Sequence, residues 1–168
     1  MPGGISKAVK RRKKPVAAFY VIAHNIRSLY NVGSIFRTAD AFGVSKIYLT
    51  GYTGHPGLGQ KHSQAIGKTA LGAEKWVSWE YSKSVFAVLR RLKNQKVKII
   101  ALENNTQSKN ISGVNIRGPF ALVLGEETKG VPKALLKACD AVVEIPMQGK
   151  KESLNVSVAF GIAAYALS

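Results

Sequence analysis

The sequence predicts an α/β fold, a mainly parallel sheet flanked by helices. Three observations carry this. Short apolar runs rich in β-branched residues alternate with segments of helical periodicity from residue 16 to the end. The runs are continuous rather than polar on every second residue, as expected of strands covered on both faces. Finally, 168 residues with 46% hydrophobic content suit one domain with a substantial core.

In order, residues 16–23 form the first apolar run, VAAFYVIA, ending at His24 and Asn25. Helical spacing follows over 33–42, with Ile35, Phe36, Ala39 and Phe42 apolar and Gly43 as a stop. A second strand is expected at 47–50. Residues 51–75 are rich in Gly, His, Gln and Lys and read as a long functional loop, with a hint of helix from 63 to 73. A strand over 76–81 precedes an amphipathic helix over 82–93, with Val85, Val88, Leu89 and Leu92 inward and Lys83, Arg90, Arg91 and Lys93 outward. Strands are expected at 97–102, 119–124 and 141–145, and a helix over 132–138 with Pro132 in its first turn. The last helix, 155–167, carries no charge and is apolar all round. It is shorter than the roughly 18 apolar residues a bilayer span needs, so protein must cover it, either the rest of this chain or a second copy. Phe160 and Ala164 are expected contacts with a second copy, and Ser153 or Asn155 is its N-cap.

Charge narrows the function. Twenty-five Lys and Arg against nine Asp and Glu give a net charge of +16, which favours a polyanion such as nucleic acid as partner. Residues 1–15 form a basic arm with Lys7, Lys10, Arg11, Arg12, Lys13 and Lys14, expected to be disordered, and residues 16–168 form the domain. Cys139 is the sole cysteine, and His24, His55 and His62 lack metal-ligand spacing, so neither a disulfide nor a metal centre is expected. No apolar stretch follows the first charges, which points to the cytoplasm and away from membranes.

Polar turns, the latter two bearing Gly, follow three strands, at 103–105, 125–130 and 146–149, where parallel sheets bind ligands. None matches a dinucleotide fingerprint. Arg37 suits phosphate or a developing oxyanion through its planar fork of donors, or it pairs with Asp40 on the surface. A guanidinium is a poor base unless strongly perturbed, which favours the orienting role and leaves the role of base open.

Three segments occur in order: NIRSLYNVGSIFRTA at 25–39, LVLGEETKG at 122–130, and IPMQG at 145–149 continuing to SLNVSVA at 153–159. Together they resemble the three motifs of the SpoU (TrmH-like) family of S-adenosylmethionine-dependent RNA 2′-O-ribose methyltransferases, within the SPOUT superfamily. The resemblance implies a C-terminal deep trefoil knot, which ordinary chain topology would exclude. It implies a site for S-adenosyl-L-methionine at Leu102, Glu103, Gly125, Ile145, Met147, Ser153 and Leu154, and catalytic roles for Asn31, Arg37, Glu127, Ser153 and Asn155. It also implies RNA contacts from Arg27, Arg37 and the arm residues Lys10, Arg11, Arg12 and Lys13. Family members act as homodimers, which would pair two copies of helix 155–167. Glu127 matches the motif glutamate, while Glu126 is the less anchored neighbour. The GEETKG turn is similar to a subgroup that includes a tRNA wobble-position enzyme. A non-catalytic knotted RNA-binding protein and a base-directed RNA methyltransferase are the alternatives.

Overall fold

The computed structural model describes residues 17–168. Seven strands form one sheet: β1 (Phe19–His24), β2 (Lys46–Thr50), β3 (Trp79–Ser82), β4 (Lys98–Leu102), β5 (Lys109–Asn110), β6 (Phe120–Leu124) and β7 (Ala141–Glu144). Five helices accompany them: α1 (Leu29–Ala41), α2 (Gln60–Ala70), α3 (Val85–Asn94), α4 (Lys133–Ala138) and α5 (Val156–Leu167). The spatial order is β3-β2-β1-β6-β4-β7-β5, and every pairing is parallel.

The apolar runs follow from this order. β1 lies between β2 and β6, with Val21 opposite both Ile47 and Leu122. Val21, Ala23, Leu122 and Leu124 face a core shared with Phe36 of α1 and Phe160 of α5. Ile22, Ala121 and Val123 face the other layer, with Leu89 and Leu92 of α3 and Leu135 of α4. Alternate residues of each strand are therefore apolar in both directions.

The structure shifts several expected boundaries. α1 starts one turn before Gly33, because Ser28 Oγ accepts a hydrogen bond from Asn31 N and caps the helix. Asn31 thus lies within the first turn. The expected loop at 51–75 is largely ordered: a 3₁₀ turn at Pro56–Leu58 leads into α2. α2 packs backbone to backbone on α1 at Gly33, where an added Cβ would stand 2.2 Å from Ile66 O. The two-residue β5, too short for a periodic signal, holds the edge beside β7. α3 begins at Val85, capped by Ser84, and not all its cations point freely outward. Arg91 is bound to Glu80 at 2.6 Å, and Lys93 stands 3.5 Å from Asp140.

α5 begins at Val156. Asn155, not Ser153, is its cap, accepting from Ser157 N at 2.9 Å and Val158 N at 3.4 Å. The helix is covered on one side only. Phe160, Ala163 and Ala164 are buried in the chain's own core, whereas Val158, Ile162 and Tyr165 are exposed, Tyr165 at 78%. Phe160 and Ala164 therefore face inward, not toward a second copy. In the C-terminal half, β6 inserts between β1 and β4, and β7 between β4 and β5. The loop before α5 touches the turn after β4, with Asn104 Nδ2 donating to Glu152 O at 3.3 Å. Such out-of-order crossings are what a knotted path requires, and the knot itself is an implication of family membership. No helix of the described residues is long and apolar enough to cross a membrane.

Candidate active site

The carboxyl ends of β4, β6 and β7 open into one cleft. Its lining includes Leu102, Glu103, Gly125, Ile145, Met147, Ser153 and Leu154, so all seven expected cofactor contacts are brought together. Leu124, Val156 and Ala159 add apolar wall, while Asn104, Thr128, Lys129 and Glu144 add polar groups.

Two glycines make the turn after β6 possible. A Cβ on Gly125 would sit 2.4 Å from Gly130 C and 2.5 Å from Val131 N, so only glycine lets the loop fold back on itself. Gly130 has φ +67° and is met from the other side by Glu103. Glu103 Oε2 accepts from Val131 N at 2.7 Å, and its other oxygen accepts from Asn104 N at 3.0 Å. One carboxylate thus clasps the β4 and β6 turns together.

Glu127 joins this loop to the first motif. Its Oε2 accepts from Arg27 N at 3.0 Å, and its Oε1 accepts from Ser28 N and from Asn31 Nδ2, both at 3.0 Å. Asn31 Oδ1 in turn accepts from Asn155 Nδ2 at 3.1 Å. Asn31, Glu127 and Asn155, drawn from all three motifs, therefore form one chain of hydrogen bonds. Burial alone would raise the pKa of Glu127, but donation from Asn31 and from the backbone N–H groups of Ser28 and Arg27 outweighs it and holds the carboxyl below its usual range.

Glu126 corrects an expectation. It is the more buried of the pair, at 7% exposure, and it is anchored: Tyr52 Oη donates to Oε2 at 2.7 Å and Thr128 Oγ1 to Oε1 at 3.1 Å. Arg27 Nη1 stands 3.8 Å from Oε1. The hydrogen bond from Tyr52 is the main reason its pKa lies below the ordinary value, against the opposing effect of burial. Tyr52 carried no signal in its own residue type. Its place was marked only by Gly51 beside it, which has φ +67°.

Arg37 is not part of the cleft. It is exposed on α1, about 9 Å along the helix axis from Asn31 at 1.5 Å per residue. It forms no ion pair among the described residues. Asp40 instead accepts from the Trp76 indole at 2.9 Å. Ser153 lines the cleft and is exposed. Arg27 is 68% exposed at its side chain. Lys10, Arg11, Arg12 and Lys13 lie outside the described residues.

The cleft is acidic in a basic protein. Glu103, Glu126, Glu127, Glu144 and Glu152 line it against a single cation, Lys129. Among the described residues no group of three or more His, Cys, Asp or Glu could hold a metal ion. Apolar walls able to sandwich a planar ring and carboxylates able to face a cation fit a nucleoside bearing a positive charge.

Comparison with known proteins agrees with this geometry. The chain is 33% identical over 161 residues to the tRNA (guanosine(18)-2′-O)-methyltransferase of Aquifex aeolicus, covering 96% of this chain and 72% of that protein. The AdoMet-bound rRNA methyltransferase from Sinorhizobium meliloti superimposes with a TM-score of 0.79 at 27% identity, over 90% of this chain and 56% of the other. A structure reported for 2-OH methylation of C/U34 on tRNA gives 0.73 at 25% identity, over 89% of this chain and 93% of the other. The model of the SpoU rRNA Methylase family matches residues 18–165, and the chain belongs to that family.

Proposed function

We propose that the protein transfers a methyl group from S-adenosyl-L-methionine to a ribose 2′-hydroxyl of structured RNA, tRNA or rRNA, as a homodimer in the cytoplasm. The observation that carries this is the acidic cleft, joined through Glu127 to Asn31 and Asn155, within a chain of net charge +16. A cationic cofactor belongs in the cleft and a polyanion on the surface outside it.

When bound, the cofactor supplies a methyl group made electrophilic by its sulfonium charge. Leu102, Leu124, Ile145 and Leu154 offer apolar walls for its base, and the cleft carboxylates favour its charge. Glu127 already accepts three N–H donors and is held deprotonated, so it braces the loop rather than taking the hydroxyl proton. Asn31 and Asn155 fix the seam between α1, the β6 turn and α5. Arg37, exposed and free of ion pairs among the described residues, is suited to hold the phosphate beside the reacting ribose or to stabilise its developing oxyanion.

Dimerisation would bring Arg37 into use. α1 and α5 run side by side, Asn31 beside Asn155 and Thr38 beside Gly161. Val158, Ile162 and Tyr165 recur at i, i+4 and i+7, an exposed apolar stripe that a second copy would cover. Exposed Tyr30 and Arg37 lie on the neighbouring helix, so a partner's Arg37 would approach the other subunit's cleft. Arg27 and the arm residues Lys10 to Lys13 would add phosphate contacts.

Among RNAs, tRNA with an unmodified wobble nucleotide is the first substrate to test. The GEETKG turn and the C/U34 neighbour, 93% of whose chain is covered, both favour it. The experiment is incubation of unmodified tRNA and rRNA with methyl-labelled cofactor, then digestion to nucleosides. Label in a 2′-O-methylnucleoside is expected. Label on a base would indicate the base-directed alternative, and cofactor binding without transfer to any RNA would indicate a non-catalytic protein.

A further inference from the structure

Beside the cleft stands an aromatic ring for which the reaction described above has no use. Tyr52 is 56% exposed, yet it is fixed at both ends. Its backbone N–H donates to Asn25 Oδ1 at 3.1 Å, from a residue held in the left-handed region at φ 58°. Its hydroxyl donates to buried Glu126 at 2.7 Å. The ring stacks on no other ring among the described residues. Free aromatics on loops normally lose conformational freedom on binding, whereas this one has surrendered it already.

The neighbours share a chemistry. Arg27, largely exposed, reaches the same Glu126. On the far side, Tyr81 Oη donates to Gly51 O at 2.8 Å and stacks with His55 at a centroid distance of 4.5 Å. Arg27 and Tyr52 therefore stand against the loop that lines the cleft, and the Tyr81–His55 pair lies beyond Gly51. Aromatic faces that stack bases, interleaved with cations that take phosphates, are the elements of single-stranded nucleic-acid recognition. The carboxylate that orients Tyr52 belongs to the loop lining the cofactor cleft, so the ring is set in a fixed relation to that cleft.

We propose that Tyr52 is the stacking platform for an unpaired nucleobase of the RNA substrate, at or next to the methylated nucleotide, with Arg27 taking an adjacent phosphate. This rests on the methyl-transfer reading and adds a substrate-binding residue to it. The backbone anchor at Asn25 keeps the ring in place, and the Glu126 contact adds to it without being required for stacking.

Three substitutions test it: Tyr52→Ala, Tyr52→Trp and Tyr52→Phe. Methyl-transfer kinetics, cofactor calorimetry and RNA binding by fluorescence anisotropy are measured for each. Tyr52→Ala should raise the KM and dissociation constant for RNA roughly 10- to 100-fold, the range expected for loss of one stacked base. Its cofactor affinity should stay within about threefold of wild type, and Tyr52→Trp and Tyr52→Phe, which keep a ring, should recover most RNA affinity. The proposal is overturned if Tyr52→Ala binds RNA as wild type does, if Tyr52→Phe is as impaired as Tyr52→Ala, or if cofactor affinity falls in parallel. A wild-type protein that methylates no RNA would instead sink the proposed function, and anisotropy on the same variants would still decide the role of Tyr52.

Discussion

Asn31 Nδ2 donates to Glu127 Oε1 across 3.0 Å, tying the first turn of α1 to the turn after β6, 96 residues away in sequence. Since Glu127 also accepts from two backbone N–H groups, loss of its charge should cost more than loss of its partner. Glu127→Gln turns one acceptor oxygen into a donor facing N–H groups, while Asn31→Ala removes two bonds, to Glu127 and from Asn155, of about 0.5–1.5 kcal/mol each and opposes no donors to one another. Denaturant titration should rank Glu127→Gln as the less stable, and both variants should lose methyl transfer. Equal stability of Glu127→Gln and wild type would contradict the bracing role.

Gly125→Ala tests the tight turn. Because its methyl would meet backbone atoms at 2.4 to 2.6 Å, the loop must open. A cost of about 1–3 kcal/mol is expected, as for other overpacked sites, together with at least about tenfold weaker cofactor binding. Calorimetry and thermal melts check it. A variant with native melting and native affinity would show that the loop tolerates the extra atom.

Arg37→Ala should leave folding and cofactor affinity unchanged, since the side chain is exposed and makes no ion pair among the described residues. Methyl transfer should fall by orders of magnitude. Mixing this variant with a cleft-defective one should restore part of the activity if Arg37 acts across the dimer, and no recovery would place it within one subunit.

Two lysine substitutions on α5 separate interface from core. Ile162→Lys charges the exposed stripe and should yield a folded monomer by light scattering. Phe160→Lys buries an unpaired charge and should unfold the chain. Should Ile162→Lys remain dimeric, the stripe is not the interface.

Acid sensitivity should report on His24. Burial lowers its pKa, and its Nδ1 lies 3.0 Å from Thr50 Oγ1. Between the lowered folded value and the usual value near about 6.5, the unfolded chain binds more protons than the folded one. Stability should therefore decline as pH falls below about 6.5 and level off once the folded-state value is passed. His55, also lowered mainly by burial, adds in the same direction. Urea titrations at several pH values should show a flatter dependence for His24→Gln, and an unchanged dependence would exonerate His24.

Much of the architecture was legible because double-sided burial imposes continuous apolar runs, and β1, β4, β6 and β7 all carried them. What escaped depended on distant partners. α2 gives only a hint of helix, in its later part, because its polar residues are on the surface and its order comes from close packing on Gly33. Glu126 looked solvated because its anchor, Tyr52, lies 74 residues away. The cleft was found through strand-end turns and motif order, whereas the clasp between Glu103 and Val131 had no local signature. The orientation of α5 was equally hidden. A helix apolar on every side gives no hint of which side is its own core.

The strand order also governs how the chain comes to be folded. β1 is made first but lies third from one edge, and its β6 partner emerges about a hundred residues later, after β4, which flanks β6 on its other side. Until β6 is made, β1 and β4 each lack the neighbour that shields one edge, so the nascent protein carries open, apolar β edges through most of synthesis. Long-range parallel pairing of this kind is intrinsically slow and exposes the chain to aggregation. The β6 segment, which runs into the second motif, joins the two halves of the sheet, and the cleft is complete only once β7 and the third motif have followed it.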